Sequence, residues 1–153
     1  MKPIYMKTKV NHQHGQSLVE FALILPLFVL LVVGVFDLGR AFFAYIAISN
    51  AAREGVRVYT FSPDDTTLAF IDNAVDFEIG ASTVVDPANV SQPVVWCHDQ
   101  WDNDILVDTN AKLWNCKTES PISVTLTYSQ TMILSFFFSG PLVMEKTAEM
   151  MVP

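Results

Sequence analysis

Gly15-Gln16-Ser17-Leu18-Val19-Glu20, with the apolar run Phe21 to Phe36 behind it, constrains this chain more than any other stretch. Sixteen consecutive residues carry no charge, and Leu18 and Val19 extend the run. That lies near the lower end of the roughly 17–25 residues a helix needs to cross a bilayer. Glu20 stands at the mouth of the run, five residues after a glycine. An ionisable group at the edge of a membrane helix is costly without a partner, so it marks a functional site by default. Pro26 removes the hydrogen bond that its nitrogen would otherwise give to the Ala22 carbonyl. Membrane helices tolerate proline, so the run still reads as one helix.

Charge sets the orientation. Residues 1–15 hold Lys2, Lys7 and Lys9, with His12 and His14, and no acid. A basic leader before an apolar run predicts that the amino terminus stays in the cytoplasm and the remainder is exported. Beyond the leader, six basic residues face sixteen acids, a formal −10 against −7 for the whole chain. Nucleic-acid binding needs clustered Lys and Arg to neutralise phosphates, and an acidic part without such a cluster argues against it. The hydrophobic share of 51% is concentrated in residues 18–48, so it reports a membrane segment rather than an outsized core.

The helical texture outlasts the apolar run. Asp37 and Arg40, three residues apart, can pair on one face where the run ends. No proline or turn cluster follows until Ser62-Pro63-Asp64-Asp65. One helix is therefore expected from about Gln16 to about Tyr59, roughly 65 Å long at 1.5 Å per residue. Its first half would be embedded in lipid and its second half would project outward. Ala44, Ala47, Ala51 and Gly55 form a seam of small side chains on one face. Such a seam allows close approach of another helix or of the domain packed on it; alanines also simply favour helix, and both readings stay open. Glu54 and Arg57 make an i,i+3 pair worth about a few tenths of a kcal/mol.

The rest reads as one small α+β domain. Ser62 or Asp64 would cap a second helix, in which Leu68, Ile71, Ala74, Val75 and Ile79 recur at spacings of three and four. Gly80 would end it. Val90–Cys97 is a short strand candidate interrupted by Pro93, hence an edge strand. Ile122–Tyr128 alternates apolar and hydroxyl side chains, the pattern of a half-buried strand. Leu142–Val152 follows as a last strand after a turn at Ser139-Gly140-Pro141. Asp99–Asn115, rich in aspartate, reads as a surface loop. The expected class is α+β: a long amino-terminal transmembrane helix extending into an exported domain with one further helix and a small antiparallel sheet.

No catalytic constellation is apparent. Cys97 and Cys116 would lie on the exported side, where two cysteines most simply form a disulfide. A zinc site with His98 fits no closed four-ligand spacing, and a free reactive thiol is the remaining alternative. Asp99, Asp102, Asp104 and Asp108 have the composition of a calcium loop but lack the glycine and distal glutamate of an EF-hand, so a solvated acidic loop is expected. No metal and no cofactor is predicted. Gly15, by contrast, has a physical job as a cut site, because a residue without a side chain lets a protease approach its carbonyl closely. Cleavage there would make Gln16 the new amino terminus, with Glu20 one helical turn away. Pairing Glu20 with such an amine across subunits would specify axial register, since either charge buried alone costs several kcal/mol.

Two stretches together resemble a known family. Gly15-Gln16-Ser17-Leu18-Val19-Glu20-Phe21-Ala22, continuing through Pro26, and Ala51-Ala52-Arg53-Glu54-Gly55-Val56-Arg57 are similar to the TadE-like pseudopilins, minor components of tight-adherence (Flp-type) pilus systems. The resemblance covers about the first sixty residues. It implies a leader, residues 1–15, removed by a prepilin peptidase that reads Gly15, Gln16 and Glu20. It further implies a helix over 16–59, with a packing motif of Ala51, Ala52, Arg53, Glu54, Gly55 and Arg57, and an exported domain over 60–153. Gln16 stands where better-known type IV pilins carry an aromatic residue. The implied role is structural, in assembling a pilus, with no enzymatic activity. Its partners would be the peptidase, other pilin or pseudopilin subunits and the lipid bilayer. The implied location is the bacterial inner membrane, with a periplasmic carboxyl-terminal domain that can enter an extracellular pilus. The alternative is an uncleaved, signal-anchored protein whose exported domain binds a ligand or surface. A secreted enzyme with a signal peptide over residues 1–40 is disfavoured, because Asp37 and Arg40 occupy the place of a small-residue cleavage site.

Overall fold

In a computed structural model, residues 14–63, 65–116, 118–136 and 140–153 are described. Helix α1 runs from His14 to Phe61, 48 residues with Pro26 inside it, bracketing the expected span by two residues at each end. Helix α2 covers Leu68–Gly80. Strand β1 (Val94–His98), strand β2 (Asp104–Val107) and the short helix α3 (Asn110–Leu113) follow. Strands β3 (Pro121–Gln130) and β4 (Leu142–Met151) complete the chain. The class is the expected α+β: a long apolar amino-terminal helix, one further substantial helix and a four-stranded antiparallel sheet of order β2-β1-β3-β4.

The described residues form two compact units that divide between Phe36 and Asp37. In the first, the apolar side chains of α1 face outward, Leu18, Leu23 and Leu27 among them at about 70% exposure. This helix is long and apolar enough to cross a membrane. In the second unit, the remaining turns of α1 form one wall of the core. Ala44, Ile48, Ala51, Ala52 and Val56 are wholly buried there with Ile71 of α2 and Ile122, Val124 and Leu126 of β3.

Strand β3 shows why the alternating pattern works. Ile122, Val124, Leu126, Tyr128 and Gln130 turn inward, while Ser123, Thr125, Thr127 and Ser129 occupy the other face. It pairs with β4 over ten positions, from Pro121 opposite Met151 to Gln130 opposite Leu142. On the outer face, the Thr125 and Thr147 hydroxyls lie 2.8 Å apart, a cross-strand hydrogen bond between directly opposed residues.

Three expectations are corrected. Strand β1 is interior, bonded to β2 on one side and β3 on the other, because Pro93 precedes it rather than lying inside it. Residues 99–115 are not one loop: they contain β2 and α3, with the turn between β1 and β2 built on Asp99. The aspartates there mark turns between short elements, which masked the Ile105-Leu106-Val107 strand. Ser62 does not cap α2. Its carbonyl instead accepts the Thr66 hydroxyl at 2.6 Å and the Thr66 N–H at 3.1 Å, closing α1. The cap position belongs to Thr67, and the Leu68 N–H donates to Asn110 Oδ1 of α3 at 2.8 Å. Asp64, the other expected cap, lies outside the described residues, as do Ser139 of the expected turn and Lys2, Lys7, Lys9 and His12 of the basic leader.

Candidate functional site

Gly15, Gln16 and Glu20 all lie in the first turns of α1. A side chain added at Gly15 would meet nothing within 4 Å. Nothing in the described packing therefore demands glycine at that position, although glycine weakens a helix interior by about 1 kcal/mol relative to alanine. Gln16 and Glu20 are exposed, and the Gln16 amide donates to the Glu20 carboxylate at 3.1 Å, an i,i+4 contact.

The second motif divides sharply by burial. Ala51 and Ala52 are wholly buried and Gly55 is buried with them, whereas Arg53 and Arg57 are exposed and Glu54 is half-buried. Gly55 is a true close approach. A Cβ there would stand 2.9 Å from Val75 Cγ2, 3.4 Å from Ile71 Cγ2 and 3.5 Å from Val124 Cγ1. The small seam is thus filled by this chain's own domain: α2 and β3 cross α1 where the side chain is absent. Glu54 accepts two hydrogen bonds from the Arg57 guanidinium, both at 2.8 Å, as the spacing of three predicted. The same guanidinium lies 5.9 Å from the centre of the Phe61 ring. With Val58, Thr66 and Phe70 they line an open recess of about 390 Å³.

Asp37 holds a role beyond the sequence reading. It does face Arg40, but at 3.9 Å, the outer limit of an ion pair. Its close partners are 96 and 97 residues away: Oδ1 accepts the Ile133 N–H at 3.0 Å and Oδ2 the Leu134 N–H at 2.8 Å. Those amides open a 3₁₀ turn over Ile133–Phe136, so a carboxylate on α1 supplies the cap that the turn's own sequence lacks. Asp37 is only 1% exposed. The signal that could have found it is the acid itself, since a buried carboxylate needs donors. Its donors are backbone amides, which leave no mark in a sequence.

The acidic segment is structural in its details. Cys97 of β1 and Cys116, just past α3, form a disulfide with Cα atoms 5.7 Å apart. Asp99 accepts the Trp101 N–H at 2.8 Å and the Asn103 N–H at 2.9 Å. The Asn103 bond above all holds its carboxyl below the usual carboxylate range. Asp104 faces His98 Nε2 at 3.1 Å, and Asp108 accepts from Lys112 at 3.0 Å. Among the described residues, no three His, Cys, Asp or Glu side chains gather where they could hold a metal ion.

Residues 15–57 match the family model of TadE-like proteins, 43 of the chain's 153 residues. The match begins at Gly15 and ends at Arg57, so it takes in both motifs and the apolar run between them. Comparison with curated proteins and with solved structures gives no match.

Proposed function

We propose, from this TadE-like amino-terminal third, that the chain is a pilin-like structural subunit of a tight-adherence pilus system, cleaved by a prepilin peptidase after Gly15. The observation that carries the reading is Gly15 itself: a glycine within a helix, unneeded by any packing neighbour, five residues before the carboxylate at the mouth of the apolar run. Cleavage makes Gln16 the new amino terminus and leaves Glu20 one turn along an exposed face. In a bundle of such helices, Glu20 of one subunit meets the amine of another, and the cost of burying either charge alone fixes their axial register. The basic leader keeps its side cytoplasmic, and residues 60–153 are exported, where the Cys97–Cys116 bond persists. The partners of this reading are the peptidase, the bilayer and other pilin subunits; its work is assembly rather than catalysis.

Intact mass of the membrane-extracted protein tests the cut. A chain starting at Gln16 is expected. A full-length mass would instead fit an uncleaved anchor that displays a binding domain, and a start past about residue 40 a secreted protein. Gly15→Ala is expected to block processing without unfolding the domain, and unchanged processing would overturn the site. Glu20→Ala should be cleaved normally but enter pili poorly, so normal piliation would sink the register argument.

A further inference from the structure

The sheet has two unlike faces. The inner one carries Val95, Val124 and Leu126 into the core shared with α1 and α2. The outer one takes the alternate residues, among them Trp96 and His98 of β1, Asp104 of β2, Ser123 of β3, and Glu145 and Glu149 of β4. It bears no lysine or arginine. Lys146, the only such residue in the four strands, has the opposite parity and donates to the Tyr45 hydroxyl of α1 at 3.1 Å. Trp96 is 42% exposed at the centre of this outer face. The register sets it directly opposite Leu106 on one side and Ser123 on the other, with Ser123 in turn opposite Glu149. Ser123 is small, so it leaves a gap of two strand spacings, about 10 Å, between the backbones that carry the indole and the Glu149 carboxylate. In the next row His98 Nε2 faces Asp104 at 3.1 Å and closes one side. The result is a recess of about 150 Å³ lined by Trp96, His98, Asp104, Pro121, Ser123 and Glu149. Among the described residues, no hydrogen bond or ion pair engages the Ser123 hydroxyl or the Glu149 carboxylate.

We propose that this recess takes the guanidinium of an arginine presented by a partner protein. A planar guanidinium stacks against the Trp96 indole and directs its N–H fork at the Glu149 carboxylate, with the Ser123 hydroxyl beneath it. The volume fits one side-chain head and falls below the roughly 300–1,000 Å³ of a small-molecule pocket. The charge fits as well. An indole face and two carboxylates, on a surface without lysine or arginine, attract a cation over a neutral or anionic group. A second copy is the poorer occupant. Beyond residue 15 the chain carries sixteen acids against six basic residues, so two copies repel. Arg57, Lys112 and Lys146 also already face groups of their own chain. The site lies within the second compact unit and does not depend on cleavage at Gly15. It gives the domain a docking point on the side of the sheet turned away from α1 and α2.

The test titrates the full chain in detergent with an acetylated, amidated Gly-Ser-Arg-Ser-Gly peptide and follows it by NMR. The comparison is the same peptide with citrulline, which keeps the shape of arginine and loses its charge. Saturable shifts of the Trp96 indole N–H and the Ser123 amide are expected, with the citrulline peptide about tenfold weaker. Glu149→Gln should weaken binding by about tenfold. Glu145→Gln makes the same change of charge on the same face, opposite Thr127 rather than Ser123, and should weaken it by less than about twofold. Trp96→Ala should abolish saturable binding, whereas Trp96→Phe keeps an aromatic face and should retain part of it, which separates loss of the ring from loss of the fold. Equal losses for Glu145→Gln and Glu149→Gln would reduce the effect to bulk attraction by an acidic protein and overturn the site. Equal binding of the two peptides, or shifts confined to other surfaces, would overturn it as well. The same shifts on concentrating the protein without peptide would assign the recess to a second copy and reject the proposed partner.

Discussion

Gly55 is a residue at which the long helix and the elements packed on it approach closely. Its missing side chain lets Val75 and Ile71 of α2 and Val124 of β3 reach the α1 backbone. Gly55→Ala gains up to about 1 kcal/mol of helix propensity, but it forces a methyl against a buried, β-branched Val75 that has little freedom to move. The net expectation is a loss of about 1 kcal/mol in denaturant unfolding of the full chain in detergent, with Gly55→Val worse. Gly39→Ala, where nothing lies within 4 Å, should be neutral or slightly stabilising. Equal effects at the two glycines would refute the close-approach argument. Asp99 supplies a second residue-scale test. Its folded carboxyl titrates below the unfolded value, so its contribution is present above the usual carboxylate range and is lost as pH falls through the depressed value. The Trp101 and Asn103 amide shifts should therefore move with a midpoint below that of an ordinary aspartate, and Asp99→Asn should abolish the titration. A midpoint at the ordinary value would dissociate the turn from the charge. The sequence puts Asp99 in an acidic stretch; that one carboxylate organises a turn over residues 99–103 depends on geometry that no aspartate count conveys.

The β1–β2 hairpin and α3 are small elements held by a covalent tie. Cys97 and Cys116 are 19 residues apart, and closing a loop of that size contributes about 3 kcal/mol on a chain-entropy account. Cys97→Ala combined with Cys116→Ala should cost about that much in global unfolding. A loss below about 1 kcal/mol would mean the unfolded chain already holds this segment together. The longer elements are legible in the sequence because each has a period. The spacing of three and four gives α2, the alternation of two gives β3, and the uninterrupted run gives α1. The shorter ones are not. Strand β2 has four residues, too few to show a period, and β1 is obscured by a proline that lies outside it. Tyr59 shows how such pieces are fixed without a pattern: its hydroxyl donates to the Leu113 carbonyl at 3.0 Å, tying the end of α1 to α3.

For the whole molecule, the consequential boundary falls at Asp37. The turns of α1 from Ala44 to Tyr59 form one wall of the core, so the domain does not begin where the helix ends. A fragment of residues 37–153 is expected to fold in mild detergent with protected amides in β3, whereas one of residues 62–153 should lose them, since it lacks Ile48, Ala51, Ala52 and Val56. Hydrogen exchange on both fragments decides it, and equal protection would place the boundary back at the end of the helix. The sequence by itself determined the long apolar helix with its glycine–glutamate entry, the excess of acid beyond residue 15, the α+β class and the cysteine pair. Each is written in local composition or in a period the backbone imposes. Only the tertiary structure decided what fills the Ala–Gly seam, which strand lies inside the sheet, and that Asp37 reaches across 96 residues to cap a turn. Those outcomes depend on backbone donors and on which surfaces meet after the chain folds back, and neither carries a signature along the sequence.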